Sequence, residues 1–266
     1  MTRLLFNCDD FGRSHPINAA ILLAHREGLL GSASLMVTGE AFESAVMIAR
    51  SNRSLKVGLH VALTDARPLL RPERIPDLVT HRGFLHSPAI AGLQLAACAG
   101  AREQAVREIR AQFERFMSTG LTPYHVDGHH HLHMHPFVFR ECIRCAKHFG
   151  FQRIRLTREF GSPLPPRRDD NRFAAKLAYH FTFRALSSLC RRMLGNGSPR
   201  CLDGLLGLWE TGRMNEAYLH RAIPRLPGGD WEIYVHLGSD GAEEELPALM
   251  SPALKEMLTQ RQILLL

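Results

Sequence analysis

Along the chain, short apolar runs alternate with longer stretches in which apolar positions recur every three to four residues. Residues 3–8 form the first run and predict a strand ending at Asp9-Asp10-Phe11-Gly12. Ser14 then offers an N-cap and Pro16 a first-turn proline for a helix that runs to Glu27 and stops at Gly28. Residues 32–37 and 55–60 read as further strands. Between them, Ala45, Val46, Ile48 and Ala49 set a helical spacing over residues 41–52. Beyond a loop rich in proline (Pro68, Pro72, Pro76), residues 102–119 carry Val106, Ile109, Phe113 and Phe116 on one helical stripe. The second half repeats the alternation. Strands are expected at 124–127, 153–156 and 232–236, helices at 136–149, 171–194, 215–226 and 252–260, and a loop-rich stretch at 161–170. Strands regularly separated by helices imply parallel βαβ units, here as one α/β domain over residues 1–266.

Composition narrows the class. Hydrophobic residues make up 45% and charged residues 22%, which excludes a mostly disordered chain. No run of 18 apolar residues is present, so no membrane-spanning helix is expected. Asp9 and Asp10 arrive too early for a signal peptide, and the chain reads as cytoplasmic. Six cysteines are too sparse for a disulfide scaffold. The pair in Cys142-Ile143-Arg144-Cys145 falls inside a predicted helix and reads as packing. The net charge of +7 is unevenly placed, because residues 140–200 hold 14 of the 33 Lys and Arg but only 4 of the 26 Asp and Glu.

The chemistry concentrates in histidine. Of 15 histidines, six lie between His125 and His135: His125, His129, His130, His131, His133 and His135. Imidazole is the commonest protein metal ligand, and alternate residues leaving a strand point the same way, so this spacing can aim two rings at one ion. Other candidate ligands close other predicted strands: Asp9-Asp10 the first, His60 the third and His236 the last. Strand ends converge on one face of a parallel α/β barrel, where active sites are built. One carboxylate can ligate a divalent cation while its neighbour accepts a proton from water, and a histidine opposite can protonate a leaving nitrogen. Such a set suits amide hydrolysis.

Three ordered motifs resemble the YdjC-like carbohydrate deacetylases, also called the ChbG/HpnK family. They are Asp9-Asp10-Phe11-Gly12, Gly58-Leu59-His60 and Asp127-Gly128-His129-His130-His131-Leu132-His133. Finer features resemble the hopanoid-biosynthesis branch: residues 32–37 (SASLMV), 109–113 (IRAQF), 211–214 (TGRM) and 231–236 (WEIYVH). The resemblance implies an irregular (β/α) barrel related to polysaccharide deacetylases, and metal-dependent removal of acetyl from an N-acetylated sugar. Carried over by position, it implies Asp10, His60 and His129 as metal ligands, Asp9 as general base and His236 as general acid. Arg155 and Asp127 would orient those groups. The implied substrate is an N-acetylglucosaminyl hopanoid, or else a chitooligosaccharide or other N-acetyl sugar. The implied ion is magnesium, although an Asp-His-His set suits zinc or another transition metal on ligand chemistry. Members of the family usually carry alanine before the aspartate pair, where this chain has Cys8, and usually proline after the last histidine, where it has Leu237.

Two other readings compete. Amidohydrolase-type barrels place a His-x-His pair at the first strand, which here ends in two aspartates. A non-catalytic nucleic-acid-binding protein would use the basic stretch but leave Asp9, Asp10, His60 and His236 unexplained; no nucleic-acid partner is expected. Residues 89–101 and the basic helix at 171–194 could instead contact an anionic membrane surface peripherally. In the latter, Phe173, Leu177, Phe181 and Leu189 would share a face, while Arg172, Lys176, Arg184, Arg191 and Arg192 supply positive charge. The sequence carries no signal for an oligomeric state.

Overall fold

The computed structural model describes residues 1–159 and 173–266, with the side chains of all but 173–176. The stretch expected as a loop at 161–170, and Asn171 and Arg172 of the expected basic helix, lie outside the described residues.

The first apolar run becomes β1 (Thr2–Phe11), buried from Leu4 onward. It lies inside the sheet, between β2 and β7, and is buried on both faces, which explains why its sequence reads as a continuous apolar run. α1 (His15–Glu27) follows, with the Ser14 side chain accepting from the Ile17 N–H and Gly28 at its end. Then come β2 (Ser32–Leu35), α2 (Phe42–Ser51) and β3 (Lys56–Val61). A long connection carries α3 (Pro88–Ala97) and α4 (Ala99–Ser118). β4 (His125–Gly128), α5 (Pro136–Phe149), β5 (Arg153–Ile154) and α6 (Phe173–Met193) come next. The chain ends through β6 (Gly204–Leu206), α7 (Glu216–Ala222), β7 (Gly229–Val235), α8 (Glu245–Met250), α9 (Pro252–Gln260) and β8 (Leu264–Leu265).

The strands form one sheet in the order β5-β4-β3-β2-β1-β7-β6, with β8 beside the start of β1. Every pairing is parallel, so all C-terminal strand ends lie along one rim. The sheet curls into an irregular, incompletely closed β/α barrel. Its two edges are joined through residues 200–205: Ile154 N–H donates to Arg200 O at 2.9 Å, and Leu205 N–H to Arg158 O at 3.1 Å. β3 and β4 approach so closely that a Cβ on Gly58 would lie 2.4 Å from the His125 ring. Outside the sheet, Phe113 and Phe116 of α4 pack on Phe151, with ring centroids 5.2 and 5.0 Å apart.

Several boundaries differ from expectation for identifiable reasons. β1 runs through both aspartates to Phe11 because an irregularity, not a turn, accommodates them. The apolar residues 89–101 are not one segment: they break at Cys98, whose backbone is extended, so α4 starts three residues earlier than expected. α7 gives way at Ile223 to a 3-10 turn that absorbs Pro224. β6, β8 and α8 were not anticipated, being two to six residues long and lacking a readable period. Cys142 and Cys145 are free thiols packed within α5.

Candidate active site

In a regular strand Asp9 and Asp10 would face opposite sides. Here the pairing of β1 with β2 shifts register between Cys8 and Phe11, and Asp10 takes a φ of +64°. Aspartate tolerates this left-handed conformation better than most L-residues. Both carboxylates thereby reach one cluster at the rim: Asp10 meets His60 and His129, while Asp9 lies with His60 and Asp127.

Asp10 Oδ1 is 2.9 Å from His129 Nδ1 and 3.3 Å from His60 Nε2. All three side chains are buried, and Asp10 Oδ1 makes no hydrogen bond of good geometry with either ring. Its other oxygen accepts from Arg13 Nη1 at 2.8 Å. Burial alone would push the Asp10 carboxyl up, but the two imidazoles hold it well below the usual carboxylate range. Behind His60, Asp127 Oδ1 lies 2.8 Å from Nδ1. Burial opposes protonation of that ring, yet the Asp127 and Asp10 carboxylates raise it to about 10. A carboxylate behind a histidine whose other nitrogen faces a candidate ion is a recurrent metal-site arrangement.

The histidine run does not leave β4 as a strand, so its side chains do not alternate as expected. His130 and His131 have φ of +49° and +56° within a 3-10 turn, and each ring takes its own direction. His129 turns to Asp10, while half-exposed His130 reaches toward Asp65 at 3.6 Å. His131 Nε2 lies 3.1 Å from the Tyr234 hydroxyl, and His133 Nε2 donates to Arg155 O at 3.1 Å. Neither His131 nor His133 belongs to a ligand group among the described residues.

Arg155 is the hub beneath the rim. Its Nη1 and Nη2 donate to Asp9 Oδ2 and Oδ1, both at 2.7 Å, and Nη2 is also 2.7 Å from Asp127 Oδ2. Nε donates to Glu232 Oε1 at 2.9 Å. Asp9 Oδ1 accepts further from Asn7 at 2.9 Å and lies 3.3 Å from Ser34 Oγ, whereas Oδ2 has Arg155 as its one donor among the described residues. Ser34 also donates to Asp127 Oδ2 at 2.7 Å. Asn7, Ser34 and Glu232 were missed by sequence reasoning. The signal was the period of two, since Asn7 shares a strand face with Asp9, and Glu232 and Tyr234 alternate in step with His236, the residue just past β7.

His236 follows β7 directly, its ring 5.6 Å from that of Tyr234. Its N–H donates to Glu245 Oε2 at 2.6 Å, and its Nδ1 is buried without a hydrogen-bond partner. It stands apart from the Asp10–His60–His129 group.

The residues fit a divalent cation. Asp10 Oδ1 is a buried carboxylate oxygen without a good donor, set among imidazole nitrogens. Beside it, three further buried carboxyl groups (Asp9, Asp127, Glu232) meet the buried guanidinium of Arg155.

The sequence profile of a family described as YdjC-like protein matches residues 3–260. A carbohydrate deacetylase of Brevibacillus brevis is 37% identical over 147 residues, 55% of this chain and 56% of that protein. A carbohydrate deacetylase of Geobacillus stearothermophilus is 43% identical over 146 residues, 54% of this chain and 56% of that one. The chain thus spans about half the length of the curated relatives it matches. In structure, it resembles an Enterococcus faecalis V583 protein provisionally described as a cellobiose-phosphate cleavage protein. The TM-score is 0.77 at 22% identity, covering 100% of this chain and 97% of that one, a likeness of fold.

Proposed function

Because this chain belongs to the YdjC-like protein family, we propose that it is a metal-dependent hydrolase that removes the acetyl group from an N-acetylated sugar. The observation that carries the proposal is the buried meeting of Asp10, His60 and His129 beside a carboxylate, Asp9, clamped by Arg155. The relatives named as carbohydrate deacetylases support the substrate class. Asp10, His60 and His129 would hold the cation, which when bound polarises a carbonyl oxygen and makes water more acidic. Asp9 takes the proton of the attacking water, at Oδ2, the oxygen with the single donor. The water oxygen bonds to the acetyl carbon, and His236 gives a proton to the sugar nitrogen as the C–N bond breaks. Acetate and a free amine result. Arg155 fixes the plane of the Asp9 carboxylate, and Asp127 fixes the His60 ring.

Three finer statements belong to the same proposal. The substrate is an N-acetylglucosaminyl hopanoid, with chitooligosaccharides the runner-up, on the motif likeness to the hopanoid branch. The ion is divalent: the family resemblance favours magnesium, whereas two imidazoles and one carboxylate favour zinc or a similar transition ion. Residues 1–266 act as one domain. A peripheral contact with anionic membrane also follows, because α6 exposes Leu177, Phe181 and Leu189 on the side that carries Arg184, Arg191 and Arg192. Arg172 of the expected face, and the side chains of Phe173 and Lys176, lie outside the described residues.

The deciding experiment incubates metal-loaded protein with chitobiose and with N-acetylglucosaminyl hopanoid, following acetate and free amine by mass spectrometry. Release from neither overturns the proposal, and release from chitobiose alone moves the substrate to chitooligosaccharides. Co-sedimentation with phosphatidylglycerol vesicles tests the membrane contact. It fails if binding is absent at low salt or survives Arg184→Glu, Arg191→Glu and Arg192→Glu together.

A further inference from the structure

The β1–β7 ladder ends at the pair Cys8↔Val235, so Asp9 and His236 are the first residues beyond it on the two strands. Past that rung the backbones are tied by a side chain. Leu237 N–H donates to Cys8 Sγ at 3.3 Å, and the same thiol lies 3.4 Å from the Asp9 carbonyl, to which it donates. Cys8 and Leu237 are both 0% exposed, so no water can replace the sulfur as acceptor. The His236 turn is otherwise held from its own side of the molecule. Its N–H goes to Glu245 at the start of α8, and its carbonyl accepts from Ser239 N–H at 3.2 Å. Neither of those bonds reaches β1. The Cys8 sulfur does, and it sits between the main chain of the residue proposed as base and that of the residue proposed as acid.

We propose that Cys8 is a positioning residue: its sulfur holds the His236 turn against the Asp9 segment and sets the separation across which base and acid act. The proposal rests on the roles given above to Asp9 and His236. An alanine at position 8 would leave the Leu237 N–H buried without an acceptor, and the turn would relax toward another one. Serine keeps an acceptor there and should keep the tie.

The test compares wild type, Cys8→Ala, Cys8→Ser, His236→Ala and the double variant Cys8→Ala/His236→Ala, all metal-loaded, on chitobiose. Cys8→Ala should lower kcat roughly tenfold with KM and metal content little changed, as expected when a buried hydrogen bond that orients a catalytic group is lost. Cys8→Ser should recover most of that loss. In the His236→Ala background, Cys8→Ala should cost nothing more, because Cys8 acts through His236. The Leu237 amide should resist hydrogen exchange in wild type and Cys8→Ser, and exchange freely in Cys8→Ala. Equal fold losses in both backgrounds, or unchanged Leu237 protection in Cys8→Ala, would overturn the proposal. If wild type releases no acetate from any N-acetyl sugar, the deacetylase reading falls instead, and the exchange measurement alone decides whether Cys8 ties the turn.

Discussion

At the scale of single residues, the roles proposed for base, ligand and orienting group are separable by substitution. Asp10→Ala, His60→Ala and His129→Ala each remove one donor from a buried three-donor group, so each should lose metal by elemental analysis and lose acetate release. Three variants that all retain full metal would reject this ligand set. Asp9→Asn should keep its metal and still lose turnover by about 10²–10⁴-fold, the usual contribution of a general base. Near-normal turnover in that variant would remove Asp9 from the role. Asp127→Asn acts one step back, through the 2.8 Å contact with His60 Nδ1. It should weaken metal binding about 10–100-fold, as loss of a ligand-orienting carboxylate does, measured by competition with a chelator. Part of the geometry was legible in the chain itself: Asp9, Asp10, His60 and His129, near the predicted ends of separate strands, do meet, whereas His236 stands apart from the Asp10–His60–His129 group. The direction of each ring was not legible. Two successive left-handed histidines break the alternation that the spacing implied, sending His131 to Tyr234 and His133 to the Arg155 carbonyl. Cys8 and Leu237 read as two unrelated departures from the family pattern, and the structure bonds them to each other.

At the scale of elements, the legible ones are those whose period or caps are strong. α1, with Ser14 before it and Gly28 after it, and α5, starting at Pro136, match their expected bounds. The bulge in β1 was not legible, because nothing in Asp9-Asp10 tells a strand that stops from one that slips register and continues. The long connection between β3 and α4 was likewise read only as a proline-rich loop. It is held by polar residues of α4 that helical periodicity assigns no partner. Gln112 accepts from Ala62 N–H at 2.9 Å and donates to Ala62 O at 2.7 Å, while Glu108 accepts from Leu69 and Leu70 N–H at 2.8 and 2.9 Å. Gln112 is wholly buried, so Gln112→Leu should strand both Ala62 groups and cost about 2–6 kcal/mol, at 1–3 for each unpaired group. The exposed pair Arg110–Glu114 on the same helix offers the contrast: Arg110→Ala should change stability by no more than about 0.5 kcal/mol. Urea midpoints at unchanged m-value would measure both. Equal small shifts would mean that the loop is not anchored through Gln112.

At the scale of the whole molecule, the β/α class was legible from strands alternating with helices, but the way the sheet closes was not. β5 and β6 are two and three residues long, and what joins them is mostly irregular backbone. Glu159 belongs to that seam. It lies past β5, buried, and its carboxylate accepts from Trp209 N–H at 2.9 Å and faces the amides of Gly207 and Leu208, just past β6. Its Oε1 has no hydrogen-bond partner among the described residues. Burial outweighs those amide donors and pushes the carboxyl up to about 8, from an ordinary value of 4.5. The folded protein therefore holds a proton that the unfolded chain releases above pH 4.5. Stability from this group is fully present below that pH and is lost as pH rises through 8. Glu159→Gln keeps an acceptor for the amides, places its NH2 where Oε1 has no partner, and removes the titration. Wild type and Glu159→Gln should differ little in Tm near pH 4.5. Toward pH 9 the wild type should fall below the variant by several degrees, since a tenfold difference in proton affinity between folded and unfolded chain is worth about 1.4 kcal/mol and each kcal/mol moves Tm by about 2–4 °C at this size. The difference between the two profiles isolates Glu159 from every other titrating group. Parallel profiles from pH 4.5 to 9 would show that the seam carries an ionised Glu159 throughout.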